Sequence, residues 1–189
     1  MSRKTRAIAL LSASMMLSAA CSTEAETPGA DSSAERPLPT EADGAESPQR
    51  SEIAFDPCSD IPSTLLGELG YDPGTQDTSK FDPGNYEFRS CMWLSISRQY
   101  SLGVMAGNVT FAEEQAKNAA YSTAVDVAGR EAIIGNEPAE NDTCFVSMRT
   151  DFGIVIVTRI DFDLPMEGAT PEQRCDGIMA EAEAIEALL

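Results

Sequence analysis

The sequence contains no histidine, and this absence removes several classes of chemistry. Without histidine there is no Ser-His-Asp or Cys-His arrangement for nucleophilic catalysis, no histidine ligand for zinc, and no imidazole to act as a general base near neutral pH. Glycine-rich phosphate-binding motifs are also missing, so a nucleotide site has no support in the sequence. The lack of any C-x-x-C pair argues against a thioredoxin-like redox role.

Lysine is scarce after the first residues, where only Lys80 and Lys117 remain. Neither lies in a recognisable Ser-Lys motif, so we interpret both as solvated charges. The 31 acidic residues make carboxylate pairs unavoidable, and such pairs alone do not predict a glycosidase. Two acidic clusters could offer oxygens to calcium, but neither has EF-hand spacing, so no metal site is predicted. The clusters are Asp161, Asp163 and Glu167, and Glu137, Glu140 and Asp142.

No apolar run is long enough to predict a membrane-spanning helix. The run from Ala7 to Ala20 follows the basic residues of 3–6 and is shorter than the roughly 20 residues that a span requires. This pattern is typical of a secretory signal peptide over 1–20. Small residues precede Cys21 directly, as in a bacterial lipobox, although Ser18 stands where leucine is most usual. We therefore predict that Cys21 is acylated and anchors the protein at the extracytoplasmic face of the cell membrane; the alternative is a secreted protein cleaved near Ala20.

The segment 21–52 is predicted to be a disordered acidic tether. Residues 22–52 contain eight acids, no aromatic residue and one large aliphatic residue, Leu38. They cannot bury enough apolar surface to offset chain entropy. Without residues 1–20 the chain has 10 basic and 31 acidic residues, a formal charge of −21. Such a charge disfavours nucleic acid as a partner.

Four cysteines remain after Cys21, and an even number in an exported chain predicts two disulfides. Three pairings are possible. We favour Cys58–Cys91 and Cys144–Cys175, because each would tie a terminal helix to a neighbouring strand within the same half of the domain.

Residues 53–189 carry alternating helix and strand signals and are predicted to form one α+β domain, an antiparallel sheet with helices packed on it. Pro62 and Gly70 bracket a short helix over 62–69, and the pair Thr110 and Glu113 has capping-box spacing. Apolar patterning predicts the strands. The predicted elements are a polar loop between the D-P-G turns at Asp72 and Asp82, a hairpin over 86–106, a helix over 111–120, two short strands around Gly129, and a hairpin turning at 151–153.

The C-terminal segment is predicted to be one helix that begins at Thr170 and Pro171. Its buried stripe is predicted to contain Cys175, Ile178, Met179, Ala182, Ile185 and Leu189, with Arg174, Asp176, Glu181, Glu183 and Glu186 facing water. Near the earlier turn, Arg130 and Glu131 beside Gly129 are predicted to form a local ion pair.

Several short motifs together resemble the actinobacterial lipoproteins of the domain-of-unknown-function family DUF3558. The motifs are "DPC" at 56–58 with the leucine-rich helix after it, "CMW" at 91–93, "VAGREAII" at 127–134, "CFV" at 144–146 and the C-terminal helix with Cys175. The resemblance implies a secreted, membrane-anchored domain of unestablished biochemistry. It also implies an architecture similar to the fold shared by photosystem subunit P and the Ran-binding protein Mog1. It implies no catalytic residue and no cofactor.

Trp93 is the remaining candidate for a ligand-binding residue. As the single tryptophan, two residues after Cys91, it is predicted to pack against a disulfide in the core; the alternative is a groove for an apolar ligand. The function favoured by the sequence is a non-catalytic binding module at the envelope, whose partner is either a protein or a small apolar ligand. An envelope hydrolase that uses carboxylates and an acidic spacer without a ligand are the alternatives. An exposed apolar patch would favour a protein partner, and a closed cavity beside Trp93 would favour a small ligand.

Overall fold

The strands form one antiparallel sheet, in which the first three strands of the chain lie on one side and the following four lie on the other. The computed structural model describes residues 50–137, 143–162 and 170–189. These residues form a seven-stranded sheet with the order β1-β2-β3-β7-β6-β5-β4, in which every neighbouring pair is antiparallel. The sheet confirms the predicted α+β class. The strands are β1 Asp77–Phe81, β2 Phe88–Leu94, β3 Tyr100–Gly107, β4 Ser122–Val127, β5 Arg130–Glu137, β6 Thr143–Arg149 and β7 Ile154–Asp161.

Two of the helices begin at capping boxes that the sequence carries. Thr110 and Glu113 form a complete capping box at one helix, and Thr170 and Gln173 form another. In each box a hydroxyl and a carboxylate or amide oxygen accept hydrogen bonds from the first free backbone N–H groups. The helices are α1 Pro57–Asp60, α2 Ser63–Glu68, α3 Phe111–Asn118, α4 Pro171–Arg174 and α5 Ile178–Glu186, with a 3₁₀ turn over Pro73–Thr75.

The two faces of the sheet are covered unequally. The first face packs against α1, α2 and α5 through a large apolar core that includes Trp93, Leu102, Val157 and Ile185. The second face packs against α3 through a smaller cluster formed by Phe111, Ile133, Phe145, Ile154 and Ile156. The main contacts of α3 with the sheet are with β5 and β6. The β1–β3 part of the second face therefore extends past the helix that covers it.

Both disulfides join a helical segment to a strand of the sheet, in the pairing that the sequence favours. Cys58 in α1 is bonded to Cys91 in β2, and Cys144 in β6 is bonded to Cys175 directly after α4. Cys91 and Cys144 are buried in the core of the first face. The disulfides therefore attach short helices that are too small to be stable alone.

The C-terminal segment is two helices and not the single helix that the pattern predicts. Gly177 has φ +83° and separates α4 from α5. This left-handed conformation suits glycine, because it lacks a Cβ. A Cβ at Gly177 would also lie 2.8 Å from Nη1 of Arg159. The break lets α5 pack closely against β7.

Glu181 is buried, which corrects the prediction that it faces water. It accepts hydrogen bonds from the Tyr71 hydroxyl and from Nη1 of Arg159, the latter at 2.7 Å. Arg159 lies over the Tyr100 ring at 3.9 Å. These partners come from distant parts of the chain, so the buried charge is compensated only in the folded state. At the other end of the predicted stripe, Leu189 is exposed and not buried.

Two further predictions are wrong, one about a loop and one about an ion pair. The polar stretch between the D-P-G turns contains the edge strand β1, whose residues are all exposed. Arg130 pairs with Glu186 at 3.1 Å and Glu131 pairs with Arg149 at 2.7 Å, so the predicted local ion pair does not form. Arg50, which the sequence assigns to the tether, contacts Glu113.

Candidate functional site

An apolar groove lies on the second face of the sheet, between α3 and the strands β1–β3. Its volume is about 530 Å³. The charged side chains in its wall come from one side of α3, and the remaining wall is mostly aromatic and aliphatic. The lining residues are Phe81, Pro83, Tyr86, Phe88, Met105, Val109, Glu113, Glu114, Lys117 and Ile156.

Strand register builds the aromatic wall of this groove. Phe81 at the end of β1 lies opposite Phe88 at the start of β2, and their rings stack with centroids 4.8 Å apart. The ring of Tyr86 lies 6.4 Å from that of Phe88. Gly107 pairs with Phe88 across β2 and β3, and a Cβ at Gly107 would lie 2.7 Å from the Phe88 ring. Glycine at that position leaves room for the aromatic wall.

The floor of the groove continues along α3. Met105 and Ile156 are register partners on β3 and β7, and both also line an adjoining cavity of about 110 Å³. That cavity shares Glu114 and Lys117 with the groove and extends to Phe145. Nδ2 of Asn118 donates to Oε1 of Glu114 at 2.7 Å. The groove is therefore an elongated apolar channel with its polar groups along one helix.

At one end of the groove, called its head here, Glu113 forms an ion pair with Arg50. Nη1 and Nη2 of Arg50 each donate to a different oxygen of Glu113 at 2.8 Å, and the guanidinium lies 3.9 Å from the centroid of the Tyr86 ring. Nη1 also donates to the carbonyl oxygen of Asn108 at 3.3 Å. Hydrogen bonds from Arg50 and then from Thr110 hold the pKa of the Glu113 carboxyl well below its usual range. Glu113 is therefore ionised at neutral pH.

A polar cleft of about 440 Å³ lies on the other side of this ion pair. Glu113 lines both the cleft and the groove. Arg149, also in the cleft, lies 4.8 Å from the Phe111 ring centroid and donates to Glu131 at 2.7 Å. Glu113 is thus shared by the apolar groove and the polar cleft, whereas Arg50 lines the cleft and not the groove.

Trp93 lies on the first face, away from the groove. It is completely buried in the core that also contains Cys91, and it lines neither the groove nor the polar cleft. Its packing beside the cysteine agrees with the structural role predicted from the sequence, and its ligand-binding role stays a prediction. No local sequence signal indicates the groove, because its lining is assembled from five separate stretches of chain.

A comparison with models of known protein families identifies the family of this chain. The profile of a family described as "Protein of unknown function (DUF3558)" matches residues 16–188. The chain belongs to DUF3558. No curated protein and no solved structure matches it.

Other candidate sites of this DUF3558 protein lie outside the described ranges or do not form within them. Cys21 lies outside those ranges, and so do Glu140, Asp142, Asp163 and Glu167 of the acidic clusters. Within 50–137, 143–162 and 170–189, no group of three or more histidine, cysteine or acidic residues could hold a metal ion. Lys80 donates to Asp56 at 3.0 Å, and Lys117 lies at the groove. None of the helices in this part of the chain has both the length and the apolar character needed to cross a bilayer.

Proposed function

We propose that this DUF3558 protein is a non-catalytic binding module at the outer face of the cytoplasmic membrane, and that the groove beside α3 is its binding surface. The observation that carries the proposal is the open groove itself, which combines an aromatic wall, an aliphatic floor and a few fixed polar groups. Binding sites commonly combine these features. The open shape suits a partner that lies along the surface better than it suits a small ligand that is enclosed in a cavity.

The polar groups of the groove support recognition more than catalysis. Arg50 and Thr110 hold Glu113 in its ionised form, and Asn118 donates to Glu114. A general acid or base works best when its pKa lies near the ambient pH, and Glu113 is far from that condition. A fixed carboxylate at the end of an apolar channel can orient a bound partner.

The location of the module rests on the first 52 residues. The basic start, the apolar run and Cys21 match a lipoprotein signal, and the acidic segment after Cys21 matches a tether. The groove would then act a short distance from the bilayer.

Replacing Cys21 with alanine is expected to release the protein from the membrane fraction into the medium, because the variant lacks the thiol that carries the lipid. The measurement is immunoblotting of membrane and culture fractions. Adding Ser22→Cys to the Cys21→Ala chain is the control: it supplies a thiol one residue further from the cleavage site, so this chain should also be released. Retention of the Cys21→Ala chain in the membrane would rule out the anchor.

Replacing Met105 with glutamate is expected to weaken binding of the apolar fluorophore N-phenyl-1-naphthylamine by roughly tenfold, since a charge on the groove floor opposes burial of an apolar group. The measurement is fluorescence titration of the full-length Cys21→Ala chain. Phe81→Ala, at the exposed rim of the groove, should weaken binding without disturbing the core.

Ile96→Ala is the matched control, because Ile96 is 65% exposed and lines none of the cavities described above. Equal binding by Met105→Glu, Phe81→Ala and the unchanged chain would show that the groove is not the binding surface.

A further inference from the structure

We propose that the head of the groove is a guanidinium-recognition site, that Arg50 fills this site from within the chain, and that the partner replaces Arg50 with an arginine of its own, flanked by apolar side chains. The partner is a polypeptide segment whose arginine binds Glu113 and whose neighbouring side chains enter the groove. This inference rests on the proposed function of the groove.

The contacts of Arg50 define the chemistry of the site. The guanidinium binds both carboxylate oxygens of Glu113, lies 3.9 Å from the centroid of the Tyr86 ring and donates to the backbone carbonyl of Asn108. This combination matches the planar fork of arginine, which bonds carboxylates with two parallel hydrogen bonds and stacks on aromatic rings. An ammonium group offers neither the fork nor the plane. The site therefore discriminates between arginine and lysine.

The site is held in place by residues other than Arg50. The backbone N–H and the hydroxyl of Thr110 donate to Oε2 of Glu113 at 2.9 and 2.7 Å. The Tyr86 hydroxyl donates to Oε1 at 3.2 Å, and the Tyr86 ring stacks with that of Phe88. Departure of Arg50 would therefore leave the carboxylate and the ring in their present positions.

Arg50 is attached to the site by its side chain. Residues 50–52 make no backbone–backbone hydrogen bond within the described part of the chain, and Ser51 and Glu52 are exposed. Within the described part of the chain, the buried Nε of Arg50 has no hydrogen-bond partner. A buried donor without a partner weakens a contact. A second guanidinium whose own Nε–H finds an acceptor can compete with Arg50 for the site.

Continuity of the cavities and the charge of the chain favour a cationic amphipathic partner. Glu113 lies at the end of the apolar channel, so an arginine bound there directs its neighbours toward Phe81, Phe88 and Met105. The formal charge of −18 on the whole chain attracts cationic segments at long range. A single ligand can thus satisfy the carboxylate and the apolar lining together.

The test compares the full-length Cys21→Ala chain with and without Arg50→Ala by isothermal titration calorimetry. The probes are octylguanidinium, octyltrimethylammonium and the peptide acetyl-Leu-Phe-Arg-Leu-Ser-amide, with lysine and citrulline versions of the same peptide. Removing Arg50 should raise the affinity for octylguanidinium and the arginine peptide about tenfold, the factor expected if the open site makes up roughly a tenth of the unmodified protein. Affinity for octyltrimethylammonium and for the lysine and citrulline peptides should change less than about twofold.

Two variants show whether the effect comes from this site. Glu113→Gln in the Arg50→Ala chain should abolish the gain, because the neutral amide cannot bind a guanidinium through two charge-assisted bonds. Arg50→Lys should behave like Arg50→Ala toward the arginine peptide, although it keeps the charge.

The outcomes separate this inference from the proposed function. If all octyl probes bind with equal affinity and Met105→Glu weakens all of them, the groove binds apolar chains and the guanidinium site is overturned. If octylguanidinium gains affinity and the arginine peptide does not, the polypeptide partner is overturned. If no probe binds to any variant, both proposals fail.

Discussion

Replacing Glu181 with alanine is expected to lower the free energy of unfolding by about 3–5 kcal/mol, the usual cost of removing one partner from a buried ion pair. Glu181 accepts from Tyr71 and Arg159, and the side chains of Glu181 and Arg159 are 5% and 18% exposed. Without the carboxylate, the Arg159 charge and the Tyr71 hydroxyl are left in the core with no acceptor. The measurement is denaturation by urea at neutral pH.

The double variant Glu181→Met with Arg159→Met is the control for this loss. It removes both charges and keeps similar volumes, so it should recover much of the lost stability. Glu186→Ala on the same helix is a second control, since the pair of Glu186 with Arg130 is more exposed. If Glu181→Ala costs no more than Glu186→Ala, the buried pair does not stabilise α5 against the sheet.

The same carboxyl gives the stability a defined pH dependence. Burial raises the pKa of the Glu181 carboxyl above its usual value, while hydrogen bonds from Tyr71 and Arg159 act against this rise. A carboxyl with a raised pKa in the folded state contributes stability that is fully present below the unfolded pKa of about 4.5 and is lost as the pH rises through the folded pKa. The unchanged chain should therefore lose more free energy of unfolding than Glu181→Gln between pH 4.5 and 8. The opposite order would mean that the attraction of Arg159 outweighs burial.

Removing the Cys144–Cys175 disulfide by a double alanine substitution is expected to lower the free energy of unfolding by about 3–4 kcal/mol. The bond closes a sequence separation of 31 residues, and chain entropy predicts a loss of roughly this size. Cys144 lies in β6 inside the sheet, and Cys175 holds the junction between the two C-terminal helices. The measurement is urea denaturation followed by circular dichroism.

The Cys58–Cys91 double variant is the matched comparison, with a separation of 33 residues and the same expected loss. The strands β2 and β6 are separated in the sheet by β3 and β7, so the two losses should add. Together they approach the whole stability of a typical domain, which is about 5–15 kcal/mol. A fully reduced chain that denatures at the same urea concentration as the oxidised chain would contradict the expected role of both bonds.

Local signals predicted much of this fold. The capping signals at Thr110 and Thr170 marked the starts of α3 and α4, and apolar patterning marked the hairpin that turns at 151–153 and forms β6 and β7. These features depend on neighbouring residues, so the sequence displays them directly. The two disulfides followed from cysteine number and from the order of elements along the chain.

Most of the errors depend on a partner far away in sequence, and one depends on backbone pairing that the apolar pattern does not display. Strand β1 has no buried residue and is a strand only through its pairing with β2. The spacing of Glu181 from Ile178 and Ile185 indicates a buried position, but its charge favours exposure. The sequence does not show that Arg159 and Tyr71 form hydrogen bonds with it. Arg50 looked like one charge in a polar tether, and its binding to Glu113 spans 63 residues. The groove was missed for the same reason.

The position of the β3–β7 pairing has a consequence for the order of folding. Within β1–β3 and within β4–β7, every ladder joins strands that are consecutive in the chain, and only the ladder from Tyr100 with Asp161 to Gly107 with Ile154 joins the two sets. Each disulfide lies on one side of this ladder. Local pairings form faster than distant ones, because they close shorter loops. A chain that emerges N-terminus first can thus pair its first set of strands before the second is complete, so the order of folding disfavours non-native pairing between the two sets of cysteines.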